Sequence, residues 1–480
     1  MTIPAHYAGN DQWIDATPAD TANRGAWWRI FNDPTLDTLE QQVSVSNQTI
    51  ANAVAQLAAS RESVRYQKAG WWPTLTTNTT LQRYRTSQNL VSRSLAGKTI
   101  PDYASGFSAS WEPDVFGRIR ANVDVANHRS EASTSDLEAV RLSVHAQLAI
   151  DYFSLRSLDR QQHILNASVD AYGKSRDILQ QQYMNGAVDR SAVDLSSAQW
   201  ASAKTMARDV ASARAQMTHA IATLVGESAS SFVLPDIDER VTLSDIPTLP
   251  EVPVGIPSQL LQRRPDIAAA ERRVAAANAD IGVARTAYFP QLMLSATAGL
   301  ESSYFAPWLT APSLLWSVGP QLVGTLFDGG RRKAGVAGAR DQYDASVATY
   351  RQTVLQAMQQ VEDAMSQFGA LSDEAHDASD AALTWQRAAT TMRHRFDAGA
   401  IDYIEMVNTQ VGALNAQLTQ EQIRQRRIIA DVQLIVALGG SWHDAVAATP
   451  PASVSSTRNV TPDGKAIAFS EMSQQAHGRQ

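Results

Sequence analysis

The 480-residue chain contains no cysteine, which excludes disulfides, thiolate chemistry and cysteine-ligated metal. The residue that carries the lipid of bacterial lipoproteins is missing with it. Basic charge is in deficit: 41 Lys and Arg against 48 Asp and Glu leave a net charge of −7. That sign argues against nucleic acid, whose binding needs concentrated cations. No stretch reaches the ~20 apolar residues of a membrane-spanning helix, so any passage through a bilayer falls to strands. Met1-Thr2-Ile3-Pro4 has no basic start followed by an apolar core. An exported chain needs such a leader, so the numbering is expected to begin after one. The nine histidines form no HExxH, and neither a GxSxG nor a nucleophile–base pairing is legible. The reading is of a protein that is not an enzyme and holds no cofactor.

Against these absences stands a duplication. Residues 50–73 align with 267–290, and Phe116-Gly117-Arg118 lies near Phe327-Asp328-Gly329-Gly330-Arg331. Residues 183–189 match 396–402, and Leu224-Val225-Gly226 matches Ala437-Leu438-Gly439. The four blocks keep one order at shifts of 211 to 217 residues, which reads as two structural repeats. Each half runs helix, two strands, long helix, turn, long helix.

The late helices carry the clearest period. Tyr343, Val347, Tyr350, Val354, Ala357, Val361, Ala364 and Phe368 alternate in steps of four and three. Ile404, Val407, Val411, Leu414 and Leu418 alternate in steps of three and four. Both predict coiled-coil seams with left-handed supercoiling. Residues 332–395 hold no proline, so a single helix there reaches about 90 Å, far beyond the ordinary helix of a globule.

Pro73 and Pro290 end the first helix of each half, because proline lacks an N–H and pushes its predecessor toward extended backbone. Past each proline the chain alternates with period two. Leu292, Leu294, Ala296, Ala298 and Leu300 share one face, with Ser295, Thr297 and Gly299 on the other. Tyr103, Ser105, Phe107, Ala109, Trp111 and Pro113 oppose Ala104, Gly106, Ser108, Ser110, Glu112 and Asp114. Trp316, Val318, Pro320, Leu322 and Leu326 oppose Ser317, Gly319, Gln321 and Thr325, and residues 74–83 form a Thr-rich strand that alternates weakly. Trp71, Trp72, Tyr288, Phe289, Tyr304 and Trp308 sit near the strand ends. Lipid-facing and lumen-facing positions of a membrane barrel alternate in this way. A water-soluble sheet packed on the helices does so equally. In lipid, four strands cannot close a barrel, since the smallest have about eight, and an open edge is not tolerated. Other copies must then complete it, and three copies give twelve strands.

The chain resembles the TolC-type outer-membrane factor family, in its OprM-like branch, over roughly residues 27–440. The resemblance rests on Trp27-Trp28-Arg29-Ile30-Phe31 with Asp33-Pro34, on Trp111-Glu112-Pro113-Asp114-Val115-Phe116-Gly117-Arg118, and on Leu261-Gln262-Arg263-Arg264-Pro265-Asp266-Ile267 with Ala270-Glu271-Arg272. Residues 277–285, Phe289-Pro290 and Phe327-Asp328-Gly329-Gly330-Arg331 complete the set. The family implies a mainly α-helical, internally duplicated chain. It forms a homotrimer with a twelve-stranded outer-membrane β-barrel, four strands per chain, on a long periplasmic helical barrel. It implies a passive exit duct for small molecules that contacts outer-membrane lipid. The expected partners are a periplasmic adaptor (membrane fusion) protein and an inner-membrane RND transporter. Members are often lipoproteins, from which this chain departs by lacking the cysteine.

The expected plan is an extended segment over 1–32, with helical-barrel segments at 33–72, 117–226, 257–289 and 329–440. The β-hairpins fall at 73–116 and 290–328, an inter-repeat linker at 227–256 and a Pro/Ser-rich tail at 441–480. In the family the two helix–helix turns form the periplasmic tip, which the repeats place at residues 183–194 and 396–408. The resemblance puts the gate at Ile404, Glu405, Asn408 and Asp194, with Asn408 standing where the family usually has Asp. It puts adaptor contact at Gly186, Ala187, Val188, Asp189, Gly399, Ala400, Ile401 and Asp402. Glu405 with Asp189, Asp194 and Asp402 would make a cation-attracting entrance; Asp189 and Asp402 read as well as helix caps.

Other motifs read structurally. Gly97-Lys98-Thr99 lacks the earlier glycine of a phosphate loop, which falls on Ser92, and belongs to a hairpin loop. Asp328 is expected to cap a helix beside the corner glycines 329 and 330, and Pro265 to open one. Trp27 and Trp28 should anchor the first segment against the helices. His394, beside a turn, is the candidate pH sensor, against a solvated helix end. The duct of a type I protein secretion machine is a second reading, and a soluble coiled-coil scaffold a third.

Overall fold

The computed structural model describes residues 25–89, 96–234 and 264–440. The expected linker past residue 234 and the tail over 441–480 lie outside them. After a single 3-10 turn, Trp27–Phe31, come α1 (Pro34–Ser46), α2 (Gln48–Ala69), β1 (Thr74–Arg85), β2 (Thr99–Trp111), α3 (Arg118–Met184) and α4 (Arg190–Leu224). The second half supplies α5 (Pro265–Thr286), β3 (Gln291–Ser302), β4 (Leu314–Val323), α6 (Arg331–Asp397) and α7 (Tyr403–Ala437).

Helices α3 and α6 each run 67 residues, about 100 Å at 1.5 Å per residue. None of the 19 prolines falls between Pro113 and Pro235 or between Pro320 and Pro450, so nothing interrupts the main-chain ladder. The elements of the two halves match in length: α2 and α5 have 22 residues, α4 and α7 have 35. Helix starts are specified locally. The Asp33 carboxylate accepts the amides of Thr35 and Leu36 at 2.8 and 3.1 Å, with Pro34 in the first turn. Asn47 caps α2 on Thr49 and Ile50 and donates its own amide to the Leu224 carbonyl at 2.8 Å, which ties α1, α2 and the end of α4 together. Pro265 opens α5 as expected. Asp328 accepts the amides of Gly330 and Arg332 at the start of α6.

The long helices pack as adjacent pairs, α3 on α4 and α6 on α7, with α3 also touching α2, α5 and α7. The expected seam of α6 is present. Val354, Ala357, Val361, Ala364, Leu371 and Ala382 are buried, and Val354, Ala357 and Val361 meet Ile267 and Ala437. In α7 the expected seam holds except at its first position: Val407 and Leu414 are buried, and Val411 and Leu418 pack against the buried clusters. Tyr403, Met406, Val407, Ala413 and Leu414 are buried, whereas Ile404 is 56% exposed. At that first turn the larger Tyr403 and Met406 take the inward positions instead.

Tryptophans fill matching but swapped notches in the two hairpins. Trp200 of α4 lies over Gly173 of α3, flanked by Arg176 and Lys204 at 4.0 and 4.1 Å from its ring. In the second hairpin the tryptophan comes from α6 and the glycine from α7: a Cβ on Gly412 would stand 2.5 Å from Cζ3 of Trp385. Gly412→Ala is expected to cost about 1–3 kcal/mol, because the ring must leave. Thermal unfolding in detergent checks this, and the loss should shrink in a Trp385→Ala background.

The four strands form one antiparallel sheet in the order β1-β2-β3-β4. Its register chains Leu75, Ala109, Ala296 and Val318 across one face, beside Thr77, Phe107, Ala298 and Trp316. All three sequence-derived apolar faces therefore lie on one side, and Thr76, Ser108, Thr297 and Ser317 lie on the other. β2 stops at Trp111, short of the expected residue 114, because Glu112 and Asp114 serve the start of α3. β4 stops at Val323, short of Leu326, and β1 extends to Arg85. Among the described residues no strand residue is buried and no α-helix packs across either face. The arrangement of a soluble sheet resting on the helices is not the one observed. β1 and β4 each leave one row of backbone groups unpaired among the described residues.

Candidate functional site

The two expected turns are brought together at the far end of the long helices. They are shorter than the sequence spans: the loops are residues 185–189 and 398–402, and Asp194, Ile404, Glu405 and Asn408 lie inside the helices beyond them. Beneath them Leu179 of α3 and Val193 of α4 pack with Tyr403, Met406 and Val407 of α7, and Val188, Phe396 and Ile401 close the cluster. Phe396 meets the Tyr403 ring edge-on at 5.7 Å.

Both loops solve the same problem identically. Gly186 and Gly399 adopt φ of +74° and +71°, where a side chain is strained. The amide of Ala187 donates to the Gln182 carbonyl at 2.8 Å and that of Gly186 to Tyr183 at 2.9 Å. Ala400 and Gly399 donate in the same pattern to Arg395 and Phe396, at 2.9 and 2.8 Å. This is the six-to-one, five-to-two closure of a glycine-ended helix. Val188 and Ile401 fold back onto the cluster, which leaves Gly186, Ala187, Gly399 and Ala400 as the exposed apex.

Asp189 and Asp402 occupy the positions before α4 and α7, yet neither side chain accepts a capping hydrogen bond. The capping expectation thus holds for backbone position and fails for the carboxylates, which stay exposed in the positive field of a helix start. Glu405 and Asn408 are exposed on α7 beside Ile404. Asp194 is offset by Arg190 at 3.6 Å, both well exposed, so it contributes less charge than the sequence suggests. Buried beneath, the Tyr403 and Ser196 hydroxyls meet no partner in ordinary hydrogen-bond geometry. Burial raises the Tyr403 phenol, against the pull of Ser196 and Arg393. His394 is exposed in the last turn of α6.

Midway along α3 the first segment is anchored as expected. The indole N–H of Trp28 donates to Asp37 at 3.0 Å, and its ring stacks on His145 at 4.7 Å. Phe31 meets Phe153 at 4.8 Å. Behind them lies a polar cluster that sequence reasoning missed. Glu40, fully buried, bonds His145 Nδ1 at 2.5 Å, and the Tyr152 hydroxyl donates to Asp33 at 2.5 Å. Nothing in the spacing of these residues, over a hundred positions apart, signals the contacts. Gly97 and Lys98 lie in the β1–β2 hairpin, where the Lys98 carbonyl accepts the Thr86 amide. Among the described residues no group of acids and histidines is placed to hold a metal, and no helix is long and apolar enough to cross a membrane.

Residues 39–227 and 256–440 match the outer membrane efflux protein family. The chain is 30% identical over 449 residues to the pyoverdine export outer membrane protein OpmQ of Pseudomonas aeruginosa, covering 91% of this chain and 92% of that one. It is 28% identical over 445 residues to the toluene efflux pump outer membrane protein TtgC of Pseudomonas putida, covering 92% and 90%. The solved structure of the outer-membrane channel OprN superposes with a TM-score of 0.79 at 27% identity, over 92% of this chain and 99% of that one. The two relatives are named as outer membrane proteins of export and efflux systems, and the solved structure as an outer-membrane channel. The chain is an outer-membrane efflux channel component and belongs to the outer membrane efflux protein family.

Proposed function

We propose that three copies of this chain form the passive exit duct of an RND-type tripartite efflux system for small molecules. One observation carries the reading: a four-stranded sheet with one continuous apolar face and, among the described residues, no covering helix and two bare edges. Hydrocarbon does not tolerate unpaired backbone, so the edges must be sealed by other copies. β1 and β4 run in opposite directions, so β4 of one copy continues antiparallel into β1 of the next. Two copies make a barrel of about eight strands, whose interior side chains fill it; three leave room for a duct.

In this reading the hairpins 73–116 and 290–328 cross the membrane. Segments 33–72, 117–226, 257–289 and 329–440 build the periplasmic helical barrel as products of an internal duplication, which the matched helix lengths and twin turns support. Ile404, exposed and apolar, narrows the tip, with Glu405, Asn408 and Asp194 around it. The apex residues 186–189 and 399–402 meet a periplasmic adaptor, itself bound to the inner-membrane transporter that supplies the energy. The names of the relatives, for pyoverdine export and toluene efflux, support small molecules as the cargo.

The detergent-extracted particle is expected to have three times the 52.1 kDa mass of one chain by native mass spectrometry, and the chain to stay in outer membranes through carbonate washing. A monomer released by carbonate would sink the reading.

A further inference from the structure

The four places where helix meets strand lie together at one end of the sheet, since Thr74 pairs with Ser110 and Gln291 with Val323. They are tied to one another. The Trp111 indole donates to the Trp71 carbonyl at 2.9 Å, Phe116 stacks on Phe289 at 5.4 Å, and Arg332 lies 5.3 Å over the Tyr288 ring. The acids here are engaged: Glu112 with Arg118 at 2.6 Å, Asp328 with Arg332 at 2.6 Å, and Asp114 with the amides of Ile119 and Arg120 at 2.8 Å each.

Five cations are left over. Lys68 and Arg285 end α2 and α5, Arg120 is in the first turn of α3, and Arg331 and Lys333 are in that of α6. All five are exposed, and none has an acidic partner among the described residues. The chain is acidic overall, yet these five cations stand together in one band. Beside them stand exposed rings, with Trp72 at 75% and Phe327 at 89%, and beyond those begins the apolar sheet face. Aromatic rings sit at headgroup depth, long cationic side chains reach from apolar surface to polar heads, and such cations attract anionic lipid.

We propose that this band binds the phosphates of anionic glycerophospholipids in the leaflet on the helical side of the barrel, in preference to zwitterionic ones. The proposal rests on the membrane-barrel reading. It is tested by reconstituting the full chain into vesicles of equimolar phosphatidylglycerol and phosphatidylethanolamine, extracting it gently and quantifying retained lipid. The wild type is expected to retain phosphatidylglycerol over phosphatidylethanolamine by about fivefold. A variant carrying Lys68→Gln, Arg120→Gln, Arg285→Gln, Arg331→Gln and Lys333→Gln should fall to near parity. Exchanging lysine and arginine at the same five positions should keep the enrichment, which guards against a folding defect in the glutamine variant. Absent enrichment in the wild type, equal enrichment in the glutamine variant, or preference for added lipopolysaccharide would overturn the proposal. A wild-type chain that enters no vesicle of either composition would overturn the barrel itself, and this proposal with it.

Discussion

Ile404→Gly combined with Asn408→Gly is expected to raise single-channel conductance in planar bilayers severalfold. Both residues are exposed on the first two turns of α7, one turn apart, directly above the cluster that joins the two hairpins. Their side chains contribute little to the packing of one chain, so removing them widens the passage without emptying the core. The double change costs the helix about 2 kcal/mol at most in propensity. A matched control separates widening from loosening: Asn415→Gly with Thr419→Gly lies on the same helix at the same spacing, also exposed. Conductance should rise only for the first pair. Equal conductance in all three proteins would remove the gate from Ile404 and Asn408.

The second large effect concerns Glu40. Burial pushes its carboxyl up to about 9, with a smaller push from Asp37, and burial pulls His145 down to about 4, with Arg141 acting in the same direction. At neutral pH both are uncharged, and the protonated carboxyl donates to His145. Glu40 therefore contributes stability that is complete below its unfolded pKa of 4.5 and lost as pH rises toward 9. The loss is about 1.4 kcal/mol per pH unit, or roughly 3 kcal/mol by pH 7. His145 acts oppositely: its contribution is complete above 6.5 and lost as pH falls through 4. Glu40→Gln keeps a donor facing His145 and removes the titration. Its thermal midpoint should exceed the wild type's at pH 8 and approach it at pH 5. Asp431, which burial raises to about 7, preserves part of the alkaline slope in both proteins. A wild-type midpoint that rises from pH 5 to pH 8 while the variant's stays flat would refute the neutral pair.

The strand faces were legible because alternation is set by the chain alone, and pairing then aligned them without a slip. The helix stops at Pro73 and Pro290 and the turns at Gly186 and Gly399 were legible for the same reason: each is a local backbone constraint. Only the first position of the α7 seam was misplaced, because Ile404, Tyr403 and Met406 are all apolar, and only contact with α3 and α4 decides which turn inward. The α3 segment around residues 145–161 hid most. It buries His145, Asp151, Arg156, Asp159 and Gln161, which in sequence look like a solvated face. Their partners, Glu40 for His145 and Arg214 for Asp159, lie in other helices.

The apex of each helical hairpin sets one exposed aspartate, Asp189 or Asp402, beside a crown of glycine and alanine, since Val188 and Ile401 turn inward. A protein seated there finds a single carboxylate per hairpin to pair with and must otherwise fit a contour. One such surface can serve several partners of similar outline, and altering the contour by a single added methyl should disturb every one of them alike.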